Sequence, residues 1–194
     1  VVHALSPMGT GGFSSLTGSV GELRNAAAEW VIVLFMLISG MNFGIIQGVA
    51  RRGPMVLFQS TETRGYLLVF FTVSILVAGS TWGFAVEWSE TLRNAVFQVT
   101  ALLTGTGFCT TDFEAWPTFT KLLLLLLYFT GGCSGSTTGG IKVIRIQILF
   151  RAAAAELSRS FRPHVVRSVR VGRQVVSPEV LREVMAFTGM FAMT

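Results

Sequence analysis

Residues 30–50, "WVIVLFMLISGMNFGIIQGVA", carry no charged side chain. At about 1.5 Å per residue a helix of this length reaches about 30 Å, the thickness of a bilayer's hydrocarbon core. Such a run must be either a spanning helix or a helix sealed inside a protein. The rest of the chain favours the membrane. Residues 66–84, "YLLVFFTVSILVAGSTWGF", and 116–130, "WPTFTKLLLLLLYFT", read as further spans. Pro117 suits the first turn of the latter, and Lys121 near its start snorkels to the interface. Hydrophobic residues make up 51% of the 194 and charged residues only 13%, against about 25% charged in a soluble domain. A last apolar run begins near Leu181. The chain opens on Val and stops inside that run, as expected of a piece of a longer membrane protein. Its opening lacks the basic n-region and cleavage site of a signal peptide.

The third run breaks at "GGCSGSTTGG" (131–140) and resumes as "IKVIRIQILFRAAAAEL". A stretch with no bulk and no charge in mid-membrane costs helix stability, and its freed backbone needs protein or water as partner. Two structural outcomes fit: a movable constriction, or a static kink packed on a neighbouring helix. Residues 90–103 differ again. Leu92, Ala95, Val96, Val99 and Leu103 follow helical spacing, Ser89 is the expected N-cap, and the run is too short to cross. It reads as a half-helix that enters the membrane and stops.

Charge sets the orientation. The link 51–65 holds Arg51, Arg52 and Arg64 against Glu62, and 151–182 holds seven arginines against Glu156 and Glu179. The opposite segments are slightly acidic, with Glu22, Glu29, Glu87, Glu90, Asp112 and Glu114 among them. The positive-inside rule puts the arginine-rich links in the cytoplasm. The net charge of +5 is therefore a topology signal, suited to anionic lipid rather than to nucleic acid, which needs a solvated basic face.

The half-helix ends in "TALLTGTGF" (100–108), and an earlier stretch reads "LSPMGTGGF" (5–13). Setting Gly12 on Gly107 places Phe13 on Phe108, so the chain repeats over about 95 residues. Glycine permits dihedrals that aim successive carbonyls one way. A ring of carbonyls replaces the hydration shell of a cation, and the half-helix turns its negative C-terminal end toward the bend. Helix, half-helix, bend and helix together make the unit of a cation pore. The alternative the residues leave open is a sodium-coupled or alternating-access cation transporter with discontinuous helices.

At "FQVTALLTGTGFCTTDFEAWP" and "GGCSGSTTGGIKVIR", with "FMLISGMNFG" and "MGTGGFSS" from the preceding repeat, the sequence resembles the TrkH/TrkG/KtrB family of potassium uptake proteins over essentially its whole length. The resemblance implies an all-α membrane protein of pore-loop repeats around a pseudo-fourfold pore, with residues 1–52 ending repeat two, 53–150 forming repeat three, 151–180 a cytoplasmic linker and 181–194 starting repeat four. It implies potassium uptake across the cytoplasmic membrane, no enzymatic chemistry, and no cofactor beyond the transported ion. Gly9, Thr10, Gly11 and Gly12, with Thr104, Gly105, Thr106 and Gly107, become filter residues that bind potassium through backbone carbonyls. Gly105 stands where the family usually has threonine. Gly131, Gly132, Cys133, Ser134, Gly135, Ser136, Thr137, Thr138, Gly139 and Gly140 become an intramembrane gating loop, with Lys142 and Arg145 as pore-adjacent basic residues. The implied partners are the lipid bilayer, a second copy in a homodimer, and a cytosolic nucleotide-binding regulator of the TrkA or KtrA type.

Other features have plainer readings. Asn42 and Ser39 suit bonds between helices. His3 aligns with Gln98 and reads as packing, and His164 has no metal spacing. Cys109 and Cys133 are too few for a disulfide framework. "GCSGSTTGGIK" departs from a phosphate-binding loop because Ile141 separates Gly140 from Lys142. Asp112 and Glu114 follow the second bend, where they either draw cations to the mouth or stand in a solvated loop.

Overall fold

Helix α6 (Trp88–Leu103) lies at the centre of the computed structural model, which describes residues 1–83, 87–161, 170–172 and 174–193. Helix α2 (Ala26–Ser39), α5 (Thr61–Ser80) and α7 (Thr118–Phe129) pack around it. From Ala95 to Ala101 every residue of α6 is buried, including Gln98 and Thr100. An amphipathic surface helix would bury one stripe; this one is surrounded, as a half-helix inside a transmembrane shell must be. Its N-cap is Glu87, not the expected Ser89, which lies inside the first turn and donates to Glu87 Oε2 (3.1 Å).

Lipid supplies no hydrophobic force between helices, so polar cross-links and close packing hold the shell. Glu29 of α2, 5% exposed, accepts from Arg93 Nε of α6 at 2.8 Å. Ser80 and Thr120 join α5 to α7 through their hydroxyls at 2.7 Å. Tyr66 of α5 donates to the Leu37 carbonyl of α2 at 3.3 Å.

The expected straight span over 30–50 does not form. Helix α2 ends at Ser39 and α3 (Phe43–Arg52) leaves at 103° to it, followed by the short α4 (Met55–Gln59). At Gly40 an added Cβ would sit 2.3 Å from the Tyr66 hydroxyl, so only glycine fits the corner. Asn42 then starts α3 by accepting from the Gly44 amide (2.8 Å). Among the described residues one unbroken helix, α5, is long and apolar enough to cross a bilayer. It begins five residues before the expected 66 and ends at Ser80; Phe84 lies outside the described residues.

Pro117 occupies the N-cap of α7 rather than its first turn. Lys121 is tied down, donating to the Glu114 carbonyl (2.9 Å). Helix α8 (Val143–Phe161) resumes after the 131–140 break. It runs well into the expected linker, which also holds the short hairpin β1 (Arg170–Val171) and β2 (Gln174–Val175). Helix α9 (Pro178–Met193) starts three residues before Leu181. Pro163 and His164 lie outside the described residues. The two bends follow α1 (Val2–Leu5) and α6. Among the described residues the fold is helical apart from the hairpin and one isolated bridge between Thr130 and Ile141.

Candidate functional site

The two bends meet. An added Cβ at Gly12 would stand 2.0 Å from the Thr106 carbonyl oxygen, so the backbones touch where a side chain has no room. They also share a conformation. Gly12 and Gly107 have φ of 65° and 76°, and Thr10 and Gly105, two residues before each, have 49° and 67°. The sequence repeat is therefore a repeat of backbone geometry.

In the second bend Thr104 and Thr106 are buried while Gly105 and Gly107 are exposed. The threonine hydroxyls face inward: Thr104 Oγ1 donates to the Thr100 carbonyl (2.8 Å) and lies 2.8 Å from Thr106 Oγ1. Both hydroxyls are thus engaged with protein, and the exposed groups of the bend are backbone. Gly107 N–H returns to the Ala101 carbonyl (3.1 Å), satisfying one of the open carbonyls at the end of α6. The first bend closes onto the aligned carbonyl, that of Ser6, but through the amide one position earlier, Gly11 N–H (3.0 Å).

The segments after the bends dock as well. Gly21 N–H donates to the Cys109 carbonyl (3.1 Å) and Cys109 N–H to Ser19 Oγ (3.2 Å). Asp112 shares an open pocket with Thr17, Glu22 and Arg24, and its carboxylate caps the Phe113–Ala115 turn by accepting from Glu114 N–H (2.9 Å). His3 packs on the Phe108 ring (6.0 Å between centroids) and bonds Ser14 (2.9 Å), in keeping with a packing role.

Below the bends lies the break. Its neck is closed by a parallel bridge between Thr130 and Ile141. An added Cβ on Gly131 would meet the Gly139 carbonyl at 2.0 Å, so the two strands of the neck cross at van der Waals limit. Thr137 reaches the first bend twice: its hydroxyl donates to the Met8 carbonyl (3.2 Å) and its carbonyl accepts from Thr10 Oγ1 (3.2 Å). Gly139 N lies 4.0 Å from an added Cβ on Gly105. The loop is thus bonded to the first bend and passes near the second.

The basic pair divides. Lys142 Nζ folds back under the loop, donating to the Thr138 carbonyl, to Thr138 Oγ1 (3.0 Å) and to Ser136 Oγ (3.4 Å). Arg145 instead stacks on the Phe187 ring of α9, 3.9 Å from its centroid. Asn42 bonds across to the loop, donating to the Ser134 carbonyl (2.5 Å), whereas Ser39 Oγ turns back to Met36 in its own helix (2.7 Å). Sequence reasoning gave Glu62 no role beyond the charge count. Its carboxylate accepts from Ser134 N–H of the loop, and the sequence signal was an acidic residue inside an otherwise basic link.

The TrkH cation transport protein model matches residues 1–194. The chain belongs to this family. Trk system potassium uptake protein TrkH of Escherichia coli K12 is 34% identical over 194 residues, covering 98% of this chain and 40% of that protein. TrkG of the same strain is 33% identical over 195 residues, covering all of this chain and 40% of that one. The crystal structure of the potassium transporter TrkH from Vibrio parahaemolyticus superposes with a TM-score of 0.94 at 32% identity, covering 98% of this chain and 42% of that chain. The TrkH-family chain therefore spans about two fifths of the length of these relatives. They are named as transport proteins, not enzymes, and the all-helical pore-loop arrangement of this chain fits the family.

Proposed function

We propose that this chain contributes two walls of a potassium pathway across the cytoplasmic membrane. The carbonyls of residues 9–12 and 104–107 line that pathway, and the loop 131–140 obstructs it from below. The observation that carries this reading is the contact of Gly12 with the Thr106 carbonyl between two bends of matching backbone geometry. Exposed glycine backbone beside buried threonine side chains supplies the peptide groups whose carbonyls can replace water around a cation. The potassium uptake role named for the relatives makes K⁺ the ion of choice.

In this reading residues 1–52 close repeat two, 53–150 form repeat three, 151–180 link on the cytoplasmic side and 181–194 open repeat four. The complete protein works as a homodimer in the bilayer and meets a nucleotide-binding regulator of the TrkA or KtrA type through its cytoplasmic face. The membrane potential supplies about 2.3 kcal/mol per 100 mV for each inward monovalent cation.

The test is Rb⁺ and Na⁺ uptake by the full-length parent protein in vesicles, with Gly107→Ser as the variant. Reduced Rb⁺ uptake or admission of Na⁺ is expected. Unchanged uptake and selectivity reject the filter assignment.

A further inference from the structure

The corner at Gly40–Asn42 and the loop 131–140 are docked backbone to backbone. Cys133 N–H donates to the Gly40 carbonyl (2.8 Å) and Phe43 N–H to the Gly135 carbonyl (3.3 Å). Between these two bonds lies Ser134, whose peptide groups are both held by side chains. Asn42 Nδ2 donates to its carbonyl (2.5 Å), and its N–H donates to Glu62 Oε1. Glu62 is the first-turn acid of α5 and only 9% exposed. The Ile144 amide and the Lys142 ammonium stand near the same carboxylate. It therefore holds the entering arm of the loop, at Ser134, and stands beside the leaving arm, at the start of α8.

A buried carboxylate in a membrane protein is expensive and is kept where it does work. Glu62 is not sealed in. It helps to line an open cleft of about 1320 Å³ together with Ser60, Arg64, Gly172 and Val175. One face of this residue holds the loop and the other is reachable from the arginine-rich side. That combination suits a bond made to be released.

We infer that Glu62 is the latch of the intramembrane loop, a positioning residue whose carboxylate holds Ser134 N–H and so keeps the loop beneath the bends. This rests on the reading of the loop as an obstruction, and the experiment separates the two. Cys133, next to Ser134, is wholly buried, so its modification reports release of the loop directly. The full-length protein, with its other cysteines replaced by serine, is reconstituted in vesicles. N-ethylmaleimide labelling of Cys133 and Rb⁺ flux are then followed in the parent, Glu62→Ala and Glu62→Gln.

Loss of a hydrogen bond to a charged acceptor shifts the release equilibrium about tenfold to hundredfold, so Glu62→Ala should label at least about tenfold faster. Glu62→Gln keeps an acceptor oxygen and should stay protected. Parent-like protection in Glu62→Ala overturns the latch, and so does a Glu62→Gln rate as fast as that of Glu62→Ala. Should Glu62→Ala fail to fold, Glu62→Asp keeps the charge but withdraws it by one methylene. It should label faster than the parent, and unchanged protection overturns the latch. Faster labelling with unchanged Rb⁺ flux upholds the latch and rejects the loop as the obstruction. Raised flux with Cys133 still protected overturns the latch.

Discussion

Thr10 and Gly105 occupy equivalent positions of two bends 95 residues apart and hold the same left-handed backbone, φ 49° and 67°. Threonine pays for that conformation at about 1–2 kcal/mol; glycine does not. Around Gly105 an added Cβ meets nothing closer than Gly139 N at 4.0 Å, so Gly105→Ala carries a conformational cost alone. The expected loss is about 1–2 kcal/mol in the thermal unfolding of the detergent-solubilised full-length protein. Thr10→Gly removes the strain but also the donation to the Thr137 carbonyl, about 1 kcal/mol. Its net change should be close to zero. A large destabilisation there means the left-handed threonine is not strained.

Gly12 and Gly107 align in sequence and in φ, yet their surroundings differ. An added Cβ meets the Thr106 carbonyl at 2.0 Å in the first case and nothing within 4 Å in the second. Gly12→Ala must push the bends apart, whereas Gly107→Ala strains only its own backbone. Overpacking of this kind costs about 1–3 kcal/mol, so Gly12→Ala should destabilise the detergent-solubilised full-length protein by about that much more than Gly107→Ala does. Equal losses in thermal unfolding would contradict the contact between the bends.

Thr137 fastens the loop to the first bend through its hydroxyl, which donates to the Met8 carbonyl. Thr137→Val keeps the shape and removes the donor. A net hydrogen bond is worth about 1 kcal/mol, so basal Rb⁺ flux should rise about fivefold. Unchanged flux with unchanged Cys133 protection would show that the hydroxyl holds nothing.

The bends were legible because glycine at fixed spacing is a backbone instruction: Gly12 and Gly107 repeat in sequence and in φ alike, whereas Thr10 and Gly105 share only the left-handed φ. The half-helix was legible because its apolar face repeats at helical spacing, and Ala95, Val96, Val99 and Leu103 are all buried. The corner at Gly40 was not. There the Tyr66 hydroxyl of another helix leaves no room for a side chain, and periodicity within residues 30–50 carries no trace of that neighbour. Ser89 failed as a cap for a related reason: the helix starts one residue before it, and Glu87 takes the N-cap. Arg145 and Lys142 are three positions apart in sequence, but one packs against α9 and the other under the loop. Spacing alone cannot separate two residues whose partners lie on different elements.

Glu29 and Arg93 anchor the N-terminal turn of α2 to α6. The pair is intermediate between exposed pairs, worth below about 1 kcal/mol, and buried ones, whose breaking costs about 3–5 kcal/mol. Arg93→Ala should therefore destabilise the protein by about 2 kcal/mol in detergent unfolding. Glu29→Gln, which keeps an acceptor, should cost less. The reverse order would mean that the carboxylate is held by something other than Arg93.

Cys109 follows the second bend on the side expected to face outward. Burial pushes its thiol above the ordinary value, with Asp112 adding to the rise, while bonds to Gln98 Oε1 (3.6 Å) and the Thr111 carbonyl (3.4 Å) act the other way. The thiolate is the reactive form, so a raised thiol is a slow one at neutral pH. Labelling by iodoacetamide in a Cys133→Ser background should be slower at pH 7.4 than for an exposed reference thiol, and should keep rising with pH beyond the ordinary thiol value of 9.0. Asp112→Asn removes the neighbouring charge and should shift that profile toward lower pH. A profile that levels off at or below the reference thiol's would place Cys109 in solvent, and would open the contact it makes with Ser19.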